Sequence, residues 1–277
     1  MITFSGNRRT INPELLHAEN VIYNTYGDTV RVSEKNKDLL KFGTVLSTQG
    51  TTEQTIAEFQ GATIRETYAT TNSIDSIICT DSTPFTGTIT IEGHTISGGN
   101  LTFVSQTKAL NGQTAVTLDT ALARVTRGVL NGTDTFASTS DFAYVYDSTA
   151  ATGTTGGAPD VPAATKLIVN AVEYQSQKGA TSISSTDYWI VSRIYAGIEK
   201  KTGEQAIIRL RYATVGNVLR TPAPKIHLDS DSASFASIDF EPFLIIPKNT
   251  DVELTIEGSA SGIQVSAGIN GYLAKVI

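Results

Sequence analysis

Few residues in this chain have the types and spacing that catalysis requires. His94 lies three positions before Ser97, and a serine nucleophile needs a histidine base at hydrogen-bonding distance together with a third group that orients that base. The sequence contains no Gly-x-Ser-x-Gly elbow, and the two glycines that follow Ser97 are typical of a hairpin turn. We therefore interpret this segment as a turn, and we predict no catalytic residue.

Metal and cofactor sites are predicted to be absent on similar grounds. Asp229 and Asp231 are two carboxylates in one loop, but the third ligand, the glycine and the distal glutamate of an EF-hand calcium loop are missing. Cys79 is the only cysteine, so an intramolecular disulfide and a thiolate zinc site are both excluded. The other histidines, His17 and His227, are widely spaced, and no phosphate-binding glycine motif occurs.

Five residues are candidates for an interface rather than for chemistry. Tyr188, Trp189 and Tyr195 lie on one predicted strand and could form an aromatic platform for a sugar, although a buried strand or a subunit interface has the same pattern. Arg8 and Arg9 lie in an N-terminal arm, where they could anchor to an acidic neighbour or remain solvated. We retain all five as interface candidates.

The composition indicates a globular protein with a weakly charged surface. Of its 277 residues, 40% are hydrophobic and only 17% are charged, below the roughly 25% of an ordinary domain. Forty threonines and 23 serines must therefore supply much of the polar surface. The net charge of −6 argues against nucleic acid as a partner. No apolar secretion signal is visible, and the longest strongly apolar stretch, 243–246, is far shorter than a membrane span of about 20 residues.

The sequence indicates an all-β fold from residue 63 onward, preceded by a segment with short helix signals. From residue 63 onward apolar residues alternate with period two, which is typical of strands. Short helix signals instead occur at 12–19, 33–40 and 52–59. We predict an antiparallel β-sandwich or jelly roll, preceded by an N-terminal arm with short helices over residues 1–60.

Two breaks divide the β region. A turn-rich segment at 81–87 and a Gly/Thr-rich stretch at 148–165 flank a set of short strands. We predict that residues 81–150 form a small inserted β domain, that 61–80 and 160–277 form the jelly roll, and that 148–165 is a linker. A single continuous sandwich with one long loop is the alternative.

The clearest strand patterns lie in the C-terminal half. Residues 188–198 are apolar on both faces, so this strand should be covered on both sides. The pattern puts two sets on opposite faces, Tyr188, Ile190, Ile194 and Ile198 on one and Trp189, Val191 and Tyr195 on the other. Val252, Leu254 and Ile256 alternate with polar residues, which predicts their burial. Asn111-Gly112 predicts a hairpin within the insert. Because few lysines protect the strand edges, we expect another copy or a partner to cover them.

Three segments carry a resemblance to a known group of proteins. They are Asn24-Thr-Tyr-Gly-Asp-Thr-Val-Arg-Val-Ser-Glu-Lys-Asn-Lys-Asp-Leu-Leu-Lys-Phe-Gly43, the stretch that begins Gly87-Thr-Ile-Thr-Ile-Glu-Gly-His-Thr-Ile-Ser97 and continues to Arg127, and Ile246-Pro-Lys-Asn-Thr-Asp-Val252. Together they resemble virion structural proteins of tailed bacteriophages, especially those of marine phages. The resemblance spans most of the chain, and no catalytic signature defines the group.

The resemblance implies a non-enzymatic particle component, attached to the capsid or neck as a decoration, cement or fibre-like protein. Its partners would be copies of itself, as a trimer whose symmetric closure removes open strand edges, and the major capsid protein or a neck or portal protein. It would be located in the virion after assembly in the host cytoplasm. The alternatives are an adhesion module whose insert recognises a host surface glycan, a tail-associated structural protein, and a β-sandwich hydrolase acting on polysaccharide.

Overall fold

The computed structural model describes residues 37–58, 65–82, 87–131, 136–200, 203–220 and 225–275, together with the backbone of four short strands nearer the N-terminus. Nearly all of its regular structure is antiparallel β. In chain order the strands are β1 (Ile2–Phe4), β2 (Arg8–Thr10), β3 (Asn20–Tyr23), β4 (Thr29–Val32), β5 (Lys37–Val45), β6 (Gln54–Thr55), β7 (Ile74–Cys79), β8 (Thr88–Ser97), β9 (Asn100–Ala109), β10 (Val116–Leu122), β11 (Arg124–Asn131), β12 (Phe142–Tyr146), β13 (Thr154–Thr155), β14 (Ala158–Pro159), β15 (Thr165–Asn170), β16 (Ala180–Ile183), β17 (Asp187–Lys200), β18 (Gln205–Thr214), β19 (Ile226–Asp229), β20 (Phe235–Ile246), β21 (Thr250–Gly258) and β22 (Gln264–Lys275).

The larger unit, which we call the main sandwich, is built mostly from the C-terminal third of the chain. One sheet has the order β20-β17-β22-β5, and the other has the order β16-β21-β18-β19, with β6 beside β21. Alternate side chains from both sheets meet in one core that contains Trp189, Ile194, Ile208, Leu254 and Ile269. The predicted burial of Val252, Leu254 and Ile256 is confirmed, since all three are fully buried.

The smaller unit, the inserted sandwich, occupies the chain between β6 and β16. Its sheets have the orders β10-β7-β12-β15 and β11-β8-β9, and they enclose a second core that contains Ile77, Ile89, Ile91, Leu122 and Val145. The sheet pairing places the boundaries of this unit near residues 74 and 170 rather than at 81 and 150, because β7 and β15 both pair with β12. β7, β12 and β15 are hydrogen-bonded side by side in one sheet, so all three belong to the same unit although turn-rich segments separate them in the sequence.

The stretch 148–165 is a cover for the inserted sandwich rather than a linker. It contains the short helix α1 (Ser148–Ala151), whose N-cap Asp147 accepts hydrogen bonds from the backbone amides of Thr149 and Ala150, then the β13–β14 hairpin and a 3-10 turn at Pro162–Ala164. Ala151 and Ala164 are buried with Ile78 and Tyr144 on the outer side of the β10-β7-β12-β15 sheet. Small residues therefore let this segment lie close to the sheet.

Two of the predicted short helices are strands instead. Residues 37–40 of the 33–40 prediction belong to β5, which pairs with β22 over its whole length, and 54–55 of the 52–59 prediction form β6 beside β21. Pairing partners more than 190 residues away outweigh a local helix signal, because short helices are marginal in water. The 12–19 prediction lies outside the described residues.

Asn111-Gly112 forms a tight turn, but not the predicted hairpin. Gly112 has a φ of 54°, as such a turn requires. The strand before it, β9, pairs with β8, whereas the strand after it, β10, pairs with β7 in the other sheet. The turn therefore carries the chain from one sheet to the other. The hairpin that Ser97-Gly-Gly predicts is present between β8 and β9.

A β-bulge in β17 changes the predicted face assignment. The pairing with β22 jumps between Val191 and Arg193, so that Ser192 has no residue opposite it. After the bulge, Ile194 follows Trp189 and Val191 into the main core, and Tyr195 joins Tyr188 on the opposite face. The expectation of cover on both sides is confirmed for 188–191, whose side chains are all at most 4% exposed.

Candidate functional site

Several exposed apolar side chains lie among polar ones on the side of the β20-β17-β22-β5 sheet that faces away from the main core, and we call this side the outer face. Residues next to those that point into the core point outward here, and several are large and exposed. They are Leu40 (53% exposed), Phe235 (64%), Phe243 (37%) and Tyr272 (37%). Because large apolar side chains exposed together on one sheet face are typical of interaction sites, this face is a candidate docking surface.

Tyr195 lies near the centre of the outer face. It stands opposite Gly268 in the ladder, and Gly268 stands opposite Phe42 on β5. A side chain at position 268 would collide with the Tyr195 ring, so the glycine lets this ring lie flat across β22. In the neighbouring row, Arg193 Nε lies 2.5 Å from Asp239 Oδ1 in an exposed ion pair.

Part of the outer face is already covered by the chain itself. Tyr188 is 2% and Ile190 is 4% exposed, although neither belongs to the main core. Both edges of β22 are paired with neighbouring strands, and one of its two faces packs into the main core. Because β4 contacts β22, it must lie over the remaining face of β22, which belongs to the outer face. β4 therefore lies over part of this surface.

The structure distributes the five interface candidates over different places. Trp189 is fully buried in the main core, so its side chain is not available to a second copy. Tyr188 and Tyr195 lie on the outer face. Arg8 and Arg9 belong to β2, and their side chains lie outside the described residues. The interface itself stays a prediction.

The contact between the two sandwiches is polar and charged, and we call it the junction. Arg124 of β11 forms a two-pronged ion pair with Asp251 of β21, with Nε 2.8 Å from Oδ1 and Nη2 2.9 Å from Oδ2. Ser182 also donates to Asp251, and the Tyr68 ring lies 5.1 Å from the guanidinium carbon. Both charged side chains are at most 6% exposed, so each neutralises the other away from water.

The next two residues of β11 are held by buried lysines through their carbonyl oxygens. Lys178 Nζ lies 2.9 Å from the Val125 oxygen and 2.7 Å from Glu66 Oε2, and Lys41 Nζ lies 2.8 Å from the Thr126 oxygen. Three consecutive residues of the inserted sandwich are thus anchored by charged groups from outside it. Such directional contacts fix the orientation of the two sandwiches more strictly than apolar packing would.

Glu253 is the most deeply buried carboxylate near the junction. It is 0% exposed and accepts hydrogen bonds from Arg65 Nη2 at 2.5 Å and from Thr55 Oγ1 at 2.9 Å. Burial raises the pKa of this carboxyl to about 7, against the lowering effect of Arg65 and Thr55. The group therefore titrates near neutral pH within the folded protein.

A cleft of about 460 Å³ opens beside the junction, between the two sandwiches. His94 of β8 is buried against it, and Nδ1 of this ring has no hydrogen-bond partner among the described residues. Burial, followed by the nearby charges of Lys41 and Arg124, lowers the pKa of His94 to about 3, so the ring is neutral. Phe103 meets it edge-on, with ring centroids 5.7 Å apart.

The other residues that the sequence singled out have structural contacts. Asp229 accepts a hydrogen bond from the Asp231 amide, and Asp231 accepts one from the Gly203 amide, so both carboxylates close a turn. Cys79 is buried and its thiol donates to the Gly112 oxygen; burial raises its pKa to about 11. Within the described ranges no three His, Cys, Asp or Glu side chains come together as metal ligands. No helix in that part of the chain is long and apolar enough to cross a bilayer.

Comparisons with solved structures include chains from infectious bursal disease virus. No protein-family model and no curated protein matches the chain. One matching chain comes from the structure of the Gt strain of infectious bursal disease virus and is 16% identical to this chain in sequence. The match covers 92% of this chain and 74% of that chain, with a TM-score of 0.21. The VP2 subviral particle of the same virus is 12% identical, with 96% and 78% covered and a TM-score of 0.22. At such TM-scores the likeness carries no argument about function.

The sequence analysis missed the residues of the junction. Lys41, Asp251 and Glu253 are buried, although polar residues that alternate with apolar ones in a strand normally face water, and Lys178 is buried in the connection before β16. Their partners lie far away in sequence, at a separation of 127 residues for Arg124 and Asp251. No local signal marks such residues. The exposed outer face, in contrast, follows from the apolar residues that alternate with core positions in β5, β20 and β22.

Proposed function

We propose that this protein is a non-enzymatic structural component of a virion, and specifically of a tailed bacteriophage, where it decorates or stabilises the capsid or neck by packing against copies of itself. The observation that supports this proposal most directly is the outer face, where large apolar side chains are exposed on a regular sheet. Large apolar side chains grouped on one exposed face are typical of protein interaction sites. A flat sheet face suits the repeated contacts of a symmetric particle.

We infer that the main sandwich is a jelly roll, which is a common fold of viral capsid domains. Its eight main strands pair in a nested order, in which the first strand in the sequence pairs with the last, the second with the second last, and so on. The pairs are β5 with β22, β16 with β21, β17 with β20, and β18 with β19. The two strands of each pair lie in the same sheet, and the pairs alternate between the two sheets. This is the order of a long two-stranded ribbon rolled into a sandwich.

Assembly would use the outer face together with the free edges of β5 and β20, which end the sheet in the described residues. Closure of a ring, with a trimer as the expected state, would remove those open edges. The inserted sandwich follows β6 in the chain and contacts Lys41, which is at a core-facing position of β5, so it would project on the side opposite to the outer face. A contact of roughly 1,600 Å² in total is enough for a stable specific interface.

The partner on the particle would be the major capsid protein or a neck or portal protein. Purified tailed-phage particles that lack this protein provide the test, with binding followed by co-sedimentation and electron microscopy. The native chain should bind at regular positions. The double variant Leu40→Glu/Tyr272→Glu, which charges the outer face, should lose binding at least tenfold.

A matched control separates the outer face from apolar exposure in general. Val218 is 81% exposed but lies in the connection between β18 and β19, so Val218→Glu should bind particles as the native chain does. Equal binding by the native chain and the double variant would contradict assembly through this face. Absence of binding by the native chain to any particle would contradict the virion role.

A further inference from the structure

The cleft between the two sandwiches has the size and lining of a small-molecule site. Its volume of about 460 Å³ falls within the roughly 300–1,000 Å³ of typical ligand sites. Its walls come from both sandwiches, including Leu39 and Lys41 of β5, His94 of β8, Phe103 of β9 and the turn that ends at Asp187. The junction beside it fixes these walls relative to each other.

The floor of the cleft holds a polar group that lacks a protein partner. His94 is 4% exposed, and its Nδ1 has no hydrogen-bond partner in the described part of the chain. A buried polar atom without a partner destabilises a protein by about 1–3 kcal/mol. A neutral imidazole has one donor and one acceptor nitrogen, and a hydroxyl group can satisfy either of them. A bound hydroxyl would therefore complete the hydrogen bonding of this ring.

The mouth of the cleft combines an aromatic ring with oxygen-bearing side chains. Phe103 is 45% exposed and lies edge-on to His94. Thr102 and Thr186 line the same opening, and Asp187 accepts hydrogen bonds from Ser184 and Thr186 through one oxygen. This lining suits a ligand with both an apolar CH face and several hydroxyl groups.

The charges in the cleft argue against an ionic ligand. The carboxylates of Glu92 and Asp187 would repel an anion, and the ammonium of Lys41, which donates to the Thr126 oxygen, would repel a cation. A purely apolar ligand would leave His94 without a partner. We infer that this cleft binds a neutral carbohydrate residue, with the sugar ring against Phe103 and a hydroxyl group at His94. The site would need both sandwiches, and it would give the projecting insert a recognition role in addition to assembly.

The test measures binding of the full chain to an array of neutral mono- and oligosaccharides. At least one sugar should bind, and Phe103→Ala should weaken that binding at least tenfold. Val218→Ala shortens an exposed apolar side chain that lies neither in the cleft nor on the outer face, so it should leave sugar binding unchanged. In the native chain, the ring ¹⁵N signals of His94 should shift when that sugar saturates the protein.

Three results would overturn the inference: no sugar on the array binds, binding is equal in Phe103→Ala and the native chain, or the His94 signals stay in place at saturation. The last result would mean that the ring meets only water. The mass of Phe103→Ala in light scattering reports separately on assembly, which depends on the outer face and not on this cleft.

Discussion

At the scale of single residues, the Arg124–Asp251 pair makes the clearest energetic prediction. Asp251→Asn keeps the shape of the side chain but leaves the buried guanidinium without its counter-charge. Breaking a buried ion pair in this way costs about 3–5 kcal/mol. Chemical denaturation of the full chain should show a loss of that size in the free energy of unfolding.

The exposed pair of Arg193 and Asp239 provides the matched control, because the same aspartate-to-asparagine change can be made there. Both of these side chains are at least half exposed, so water screens their attraction. Asp239→Asn should hardly change the free energy of unfolding. Equal effects of the two substitutions would show that the junction contributes no more than an ordinary surface contact.

Glu253 predicts how stability depends on pH. Its pKa in the folded protein is about 7, above the ordinary 4.5, so the folded state binds more protons than the unfolded state between these two values. The contribution of this group to stability should therefore decrease as pH rises from 4.5 to about 7, and then stay constant. Glu253→Gln should remove this decrease from the curve of unfolding free energy against pH.

A second variant tests the cause of that shift. The Thr55 hydroxyl donates to the Glu253 carboxylate and lowers its pKa, so Thr55→Val should raise the pKa further and extend the decrease to higher pH. A pH curve that Glu253→Gln leaves unchanged would mean that this carboxyl does not titrate near neutrality.

At the scale of elements, the bulge at Ser192 predicts a difference between two single-residue deletions. Ser192 has no residue opposite it in β22, so its deletion leaves Val191 and Ile194 pointing into the core. That deletion should cost only about 1–2 kcal/mol. Deletion of Ala196, which is paired with Ala267, should reverse every side chain on one side of it and abolish cooperative thermal unfolding. Similar melting curves for both deletions would contradict this account of the strand.

The same element shows how far sequence reasoning extends. The two-sided apolar pattern of 188–198 predicts cover on both sides, and the alternation in β21 predicts its core face, because both depend only on side-chain period. The bulge at Ser192 depends on the length of β22, and the strand at 37–40 depends on pairing with that same distant strand. Neither dependence is visible in a local window.

The candidate functional regions also differ in how far the sequence predicts them. Tyr195 on the outer face is an interface candidate by sequence, and its exposed neighbours follow from alternation once the core is known. The junction and the cleft could not be predicted, since Arg124, Asp251 and His94 come together only when the two sandwiches meet. Polar residues whose partners lie in another unit carry no periodic signal.

At the scale of the whole molecule, the two sandwiches have separate roles. In the proposed assembly, the main sandwich presents the outer face to other copies, and the junction holds the inserted sandwich at a fixed angle to it. The exposed apolar side chains of the outer face, Leu40, Phe235, Phe243 and Tyr272, are not part of the main core, so they can be replaced with little loss of stability. Their function can therefore be tested apart from stability.

The most direct test of assembly through the outer face is the mass of the full chain in light scattering coupled to size-exclusion chromatography. The native chain should have a mass that is a multiple of 29.5 kDa, with a trimer expected. Leu40→Glu/Tyr272→Glu should elute as a single copy with an unchanged melting temperature, and Val218→Glu should remain assembled. A native chain that stays at 29.5 kDa at every concentration would contradict the account.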